Sequence, residues 1–331
     1  MELPPEAAEQ SGRFSYQQAR AFGLSRHRLA RLVKQRVLEE TGYGVYAAIG
    51  EAGDPVRKHA GLVHDVQLAT TKPWYAARRT SALLMGLPLI GRPPERAQLV
   101  RDGARQGAHG RDRDLRVSPL PSADTWEYEG VAMCTAARTV VDIARAESFR
   151  NGVVVADAAL RRGVDAADLH AVLQRMHRWP GVARARAVVR FADGRTESPG
   201  ESLVRVASLA EHLPIPEPQV EVWFWGRFLG RVDLMLRAYL LAIESDGAIK
   251  FNEPLVLPAL ISRQEDLRYA GVDVLRTNWD ETFKDTSEFG RRVRERIRER
   301  GPRALPPGLE LRSTLVRPQL PLLRVPYDLV A

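Results

Sequence analysis

Cysteine is all but absent, with one residue, Cys134, in a chain of 331. No disulfide can form within the chain, which suits a reducing cytosol and excludes a stapled secreted scaffold. Long apolar runs are missing too, and none approaches the ~20 residues of a membrane helix. The opening MELPPEAAEQ is acidic and proline-rich, unlike a secretory signal. A cytoplasmic location without membrane contact is therefore expected. The histidines His59, His64, His109, His170 and His177 are scattered, without metal-ligand spacing. Most pointed is a local absence: between Ser11 and Arg36 there is no acidic residue. What is present is ordinary for a globular chain, 44% hydrophobic, with 49 Lys and Arg against 41 Asp and Glu and a net charge of +8. The length allows two or three domains, and the charge weakly favours polyanionic partners.

The acid-free window is patterned. Ser15 reads as the cap of a short helix that Gly23 ends, and Ser25 as the cap of a second. Leu29, Leu32 and Val33 recur at helical spacing and predict a core face. Arg26, His27, Arg28, Arg31, Lys34 and Arg36 are left for solvent or a partner. Each alone reads as a solvated helix face; together, with VLEETGYGVYAAIG behind them as a β-hairpin, they read as a DNA-contacting surface. Helix, turn, basic helix and hairpin is the order of a winged helix-turn-helix, here over residues 1–50. The stretch FSYQQARAFGLSRHRLARLVKQRVLEETGYGVYAAIG resembles the N-terminal domain of AbiEi-type antitoxins and related transcriptional regulators. That resemblance implies operator binding. The family's hairpin is usually basic, whereas this one carries Glu39 and Glu40, so the grip on phosphate falls to the second helix. The oligomeric state stays open, although a lone winged helix commonly works as a homodimer.

Residues 51–194 read as a mixed α+β middle region. RAQLV, LRVSPL and GVAMCT predict short strands, and AARTVVDIARA, NGVVVADAALRRG, DAADLHAVLQRMH and VARARAVVRFA predict helices. The order resembles the central part of AbiEi-like proteins, and a protein partner would bind here. No catalytic constellation stands out, and Cys134 reads as packing.

Residues 195–300 predict a helix, three strands, a helix, a strand and a last helix, an α/β core. In the last helix Phe289, Val293 and Ile297 share a stripe and the arginines read as solvated. The segment GRVDLMLRAYLLAIESDGAIKF carries the chemistry. Asp233 interrupts an apolar strand, where an unpaired charge costs several kcal/mol, roughly. Glu244 and Asp246 lie two residues apart, about 6.5–7 Å along the next strand, and share a face. Lys250 follows. If the strands pair antiparallel, Asp233 lies opposite this pair, and such carboxylates repel unless protonated or bound to a hard cation. Glu201, in Ser-Pro-Gly-Glu, is explained by helix capping and is also a candidate fourth member.

Asp233 followed by Glu244-x-Asp246-Gly247 resembles the PD-(D/E)XK nuclease fold, closest to the group similar to very-short-patch-repair endonucleases. The later SRQEDLRYAGVDVLRTNWDE fits that group's ending. The resemblance implies a restriction-endonuclease-like core in which Asp233 and Glu244 hold Mg2+ or Mn2+ and Gln219 supports the site; Asp246, by its spacing from Glu244, is a third metal-ligand candidate, and Lys250 is placed to serve the attacking water or the phosphate. Asp246 stands where the wider superfamily has lysine. A metal-dependent endodeoxyribonuclease is one expectation. A non-catalytic regulator with a degenerate nuclease fold is another, and a protein-interaction scaffold a third. Residues 301–331, rich in Pro and Leu, read as an ordered strap or a partly disordered tail.

Overall fold

The structure, a computed structural model, describes residues 2–42, 44–49, 55–103, 108–110, 112–128, 130–246 and 256–314. Over these residues the chain is mixed α/β, with twelve α-helices and three sheets. It forms two compact units, Met1–Ile143 and Ala144–Ala331. No helix among the described residues is long and apolar enough to cross a membrane.

The first unit begins with β1 (Arg13–Ser15), α1 (Tyr16–Ala21), α2 (Arg26–Lys34), β2 (Leu38–Gly42) and β3 (Val45–Ala48). Ser15 caps α1 in a reciprocal box: its hydroxyl accepts the Gln18 N–H, and the Gln18 side chain accepts the Ser15 N–H at 2.8 Å. Ser25 caps α2. Phe14, Ala19, Leu29, Leu32, Leu38 and Tyr46 close a small core beneath an antiparallel sheet of order β1-β3-β2. The three residues of β1 carry no readable period, so the hairpin's third strand is seen only here.

The same unit continues with α3 (Pro55–Leu68), β4 (Tyr75–Ala76), α4 (Arg78–Leu84), β5 (Ala97–Arg101), β6 (Ala108–His109), β7 (Arg113–Val117), β8 (Thr125–Tyr128) and β9 (Val131–Cys134). These strands form a six-stranded sheet of order β6-β7-β5-β4-β9-β8. The helix α5 (Ala136–Ala146) follows, and its buried Arg138 is matched by Asp124 at 3.0 Å and Asp142 at 2.7 Å. Cys134 is wholly buried and its thiol is pushed up by that burial, as a packing residue's would be.

The second unit runs through α6 (Phe149–Arg161), α7 (Ala166–Arg175), α8 (Val182–Phe191), α9 (Pro199–Ala210), β10 (Glu217–Phe224), β11 (Arg227–Leu236), β12 (Leu241–Asp246), α10 (Val256–Tyr269), β13 (Asp273–Asn278), α11 (Trp279–Phe283), α12 (Ser287–Arg300) and β14 (Leu309–Ser313). The sheet order is β13-β12-β11-β10-β14; β12 and β13 are parallel and the other pairs antiparallel. Leu234, Leu236, Leu241, Ile243 and Leu275 pack with Val204 and Ala207 of α9 and Phe289 and Val293 of α12. Val220, Val222, Leu240, Ala242 and Val274 pack with Leu267 and Ala270 at the end of α10. With both faces covered, β12 is apolar over Leu241–Ile243 instead of alternating.

Two features depart from the sequence reading. The tail supplies β14, so the sheet gains a fifth strand from a stretch without period. The arginines of α12 are also more than a solvated coat. Arg292 donates to Glu281 and to the Arg276 carbonyl, Arg296 pairs with Asp273 at 3.0 Å, and Arg300 donates to the carbonyls of Tyr239 and Gly271. The edge strand β13 and the loops around it leave carbonyls unpaired, and these guanidinium groups satisfy them.

Candidate functional site

The site grows from the point where two strands part. The β11–β12 ladder pairs Leu236 with Leu241, Met235 with Ala242 and Leu234 with Ile243, and ends there. The next residues along each strand are Asp233 and Glu244. Beyond the ladder the Ser245 N–H is taken by the Asp233 side chain, whose Oδ2 accepts it at 3.1 Å. A carboxylate thus replaces a strand as the hydrogen-bond partner.

Gln219 lies at the corresponding point of β10, between the pairs Pro218–Leu234 and Val220–Val232. Its φ is +55°, in the left-handed region that a non-glycine strand residue rarely occupies. The Thr314 hydroxyl donates to its carbonyl at 3.0 Å. Its side-chain amide donates to Glu201 Oε2 at 2.8 Å.

Glu201 arrives on the first turn of α9, with Pro199 as the first helical residue behind the Ser198 cap. It is only 4% exposed. The Glu201 N–H donates to the Ser198 hydroxyl, which donates back to Glu201 Oε1 at 2.8 Å. Glu201 Oε2 also accepts the Glu197 N–H at 2.8 Å. Glu201 therefore both caps its helix and, through Gln219, reaches the strand that faces Asp233. Gly200 permits this approach, since a Cβ there would collide with the Ser245 hydroxyl.

Glu244 is 9% exposed and is held by Arg263 at 3.0 Å and Arg276 at 3.7 Å. Arg276 is its partner in the parallel β12–β13 register. Arg263 also donates to the Arg231 carbonyl at 2.7 Å. Gly230 makes room for it: at φ +151°, a Cβ there would stand 2.7 Å from the Arg263 Nε. Burial first, then the charges of Glu201 and Glu244, push the Asp233 carboxyl up to about 6, against the lowering pull of the Ser245 N–H and Arg263.

Asp233, Glu244, Glu201 and Gln219 are thus brought together where β11 and β12 part, while the β10–β11 and β12–β13 ladders run on. The side chain of Asp246 and the whole of Lys250 lie outside the described residues. Among the described residues no three His, Cys, Asp or Glu side chains gather closely enough to hold a metal ion. Two carboxylates suffice for Mg2+, which keeps several waters and takes further oxygens from a bound phosphate. Asp233 and Glu244 offer hard oxygen donors of that kind, and Asp233 Oδ1 makes no hydrogen bond among the described residues. The two arginines on Glu244 were missed in the sequence. Arg276 becomes visible only with the β12–β13 register, and Arg263 carries no sequence signal.

The basic surface lies in the first unit. Arg26, His27, Arg28, Arg31, Lys34 and Arg36 are all exposed. Among the described residues none of the six is in an ion pair, and Arg26 stacks over the Tyr16 ring at 4.9 Å. Glu40 is turned to local use, accepting the Gly44 N–H in the hairpin.

No described protein family has a sequence profile that matches the chain. Similarity does extend to "Uncharacterized protein Rv2248" of Mycobacterium tuberculosis, 31% identical over 237 residues, which cover 68% of this chain and 79% of that protein. "Uncharacterized protein MT2308", from another strain of that bacterium, matches to the same extent. The chain belongs to their family. Neither family member's name states an activity. A crystal structure of the RV2827C protein from the same species aligns over 61% of this chain and 80% of its own, at 13% identity and a TM-score of 0.38, a likeness too loose to carry an argument.

Proposed function

We propose that the protein is a DNA-binding, Mg2+-dependent endonuclease, with a winged helix-turn-helix at residues 1–50 and a PD-(D/E)XK-like core in the second unit. The observation that carries this reading is that Asp233 and Glu244 flank the point where the β11–β12 ladder ends, with buried Glu201 near enough to raise the Asp233 carboxyl. Three acidic groups at the parting of two strands, one of them pushed up to about 6, are costly to stability and call for a function. Bound there, Mg2+ would supply Lewis-acid activation of water against a phosphodiester. Asp233 and Glu244 would hold it, with Asp246 as the third donor that the sequence offers. Gln219 and Glu201 fix the strand opposite Asp233, and Lys250 serves the water or the phosphate. The exposed cations of α2 place the duplex by its phosphates.

One observation favours the non-catalytic alternative, a regulator of the antitoxin type: Glu244 is already matched by two arginines. Cleavage decides between them. Purified protein is incubated with supercoiled plasmid and with labelled linear and single-stranded DNA, in Mg2+, Mn2+ or EDTA. Metal-dependent cutting that drops at least ~100-fold in Asp233→Ala and Glu244→Ala is expected, as for loss of a group acting on the transition state. Salt-sensitive binding without cutting assigns the regulator instead.

A further inference from the structure

The pairing of Glu244 with Arg263 has a consequence for how such a site is loaded. We infer that Arg263 is the resident counter-ion of Glu244, and that it yields this carboxylate to a divalent cation when a nucleic-acid phosphate takes the guanidinium in exchange. This inference rests on the nuclease reading above.

A carboxylate as buried as Glu244 needs a counter-charge in the metal-free protein, and Arg263 at 3.0 Å supplies it. A guanidinium and a metal ion compete for the same carboxylate oxygens. The resting site is therefore poor at capturing metal, although its acids suit one. The seat of Arg263 is shaped by the fold: Gly230, in a backbone conformation that L side chains rarely adopt, leaves room for its Nε, and the Arg231 carbonyl accepts a further N–H at 2.7 Å. The seat is also open to exchange. The Arg263 side chain is 31% exposed, and a planar guanidinium binds phosphate oxygens in a two-pronged way that an ammonium does not. A phosphate arriving beside Glu244 draws the guanidinium away and brings oxygen ligands of its own, so binding of the strand and of the metal become mutually favourable. Arg276, at 3.7 Å from Glu244 and fixed by its strand register, stays as the lesser charge.

Mn2+ binding to the full chain, followed by the loss of the free-ion electron paramagnetic resonance signal, tests this without reference to cleavage. Wild type is expected to bind Mn2+ weakly alone and about tenfold more tightly with a short DNA duplex, and Arg263→Ala to bind about tenfold more tightly without DNA and to gain little from it. Arg263→Lys, which keeps the charge, is expected to return to weak binding alone, and equal melting temperatures identify folded variants. Equal affinity of wild type and Arg263→Ala, lost in Glu244→Gln, overturns this inference and leaves the nuclease reading standing. Mn2+ binding unaffected by Glu244→Gln, or absent from every protein, overturns both.

Discussion

Asp233 sits where a charge is hardest to keep. An unperturbed aspartate titrates near ~3.9, whereas burial and the neighbouring Glu201 and Glu244 push this one up to about 6. The native state therefore holds a proton that the unfolded chain releases over this interval. The stability contributed by protonated Asp233 is complete below about pH 4 and is lost as pH rises through about 6. Asparagine cannot ionise, and its Oδ1 still accepts the Ser245 N–H. Asp233→Asn is thus expected to add about 1–3 kcal/mol to the unfolding free energy at pH 8 and little at pH 4. Denaturant unfolding across that range measures it. A difference that is flat with pH would show that Asp233 is not held against its neighbours. The incongruity of this residue is plain in RVDLML, because a charge between apolar strand residues has no solvated alternative. The role of Arg263 is not, because arginine is ordinary on an exposed helix face and only packing shows what it meets.

At the scale of elements, the strongly periodic segments are legible and the short ones are not. In α2 the apolar positions Leu29, Leu32 and Val33 define the inward face, and Leu29 and Leu32 are buried. The strands β10 to β12 stand out by their β-branched and aromatic content. β1 and β14 do not, because an edge strand of three or five residues gains its order from the strand it pairs with. Capping at Ser198 and Glu201 is visible in Ser-Pro-Gly-Glu, yet its second use is hidden, since it depends on Gln219 arriving from β10 in a left-handed backbone conformation. The element that faces DNA in our reading is α2, which has exposed cations without acids between them. The double variant Arg28→Ala with Arg31→Ala should weaken duplex binding for all sequences alike. Each phosphate contact contributes about 0.9 to the slope of log affinity against log salt, so the slope should fall by about 1.8. An unchanged slope would move the DNA contact away from α2.

Across the whole molecule, the +8 charge says little by itself, because most arginines of the second unit are committed to carboxylates and carbonyls while those of α2 are not. Composition cannot make that distinction. The same holds for the tail, whose Pro and Leu content gives no hint that Leu309–Ser313 completes a sheet begun at Glu217. There β14 covers the outer edge of β10, pairing from Phe224 with Leu309 to Val220 with Ser313. Thr314 then reaches the Gln219 carbonyl, and Arg237 donates to the Leu311 carbonyl and the Ser313 hydroxyl. Deleting residues 302–331 should leave β10 with an unpaired edge, an invitation to intermolecular strand pairing. It also removes the partner that holds Gln219 in its left-handed conformation. The expected result is a lower melting temperature, concentration-dependent association on size exclusion, and loss of any metal-dependent activity. A chain ending at Thr314, which keeps β14, is the reference against which the deletion is read. If deletion to residue 301 leaves melting and association unchanged, β14 contributes nothing to the sheet, and the support of Gln219 must come from β10, β11 and Glu201.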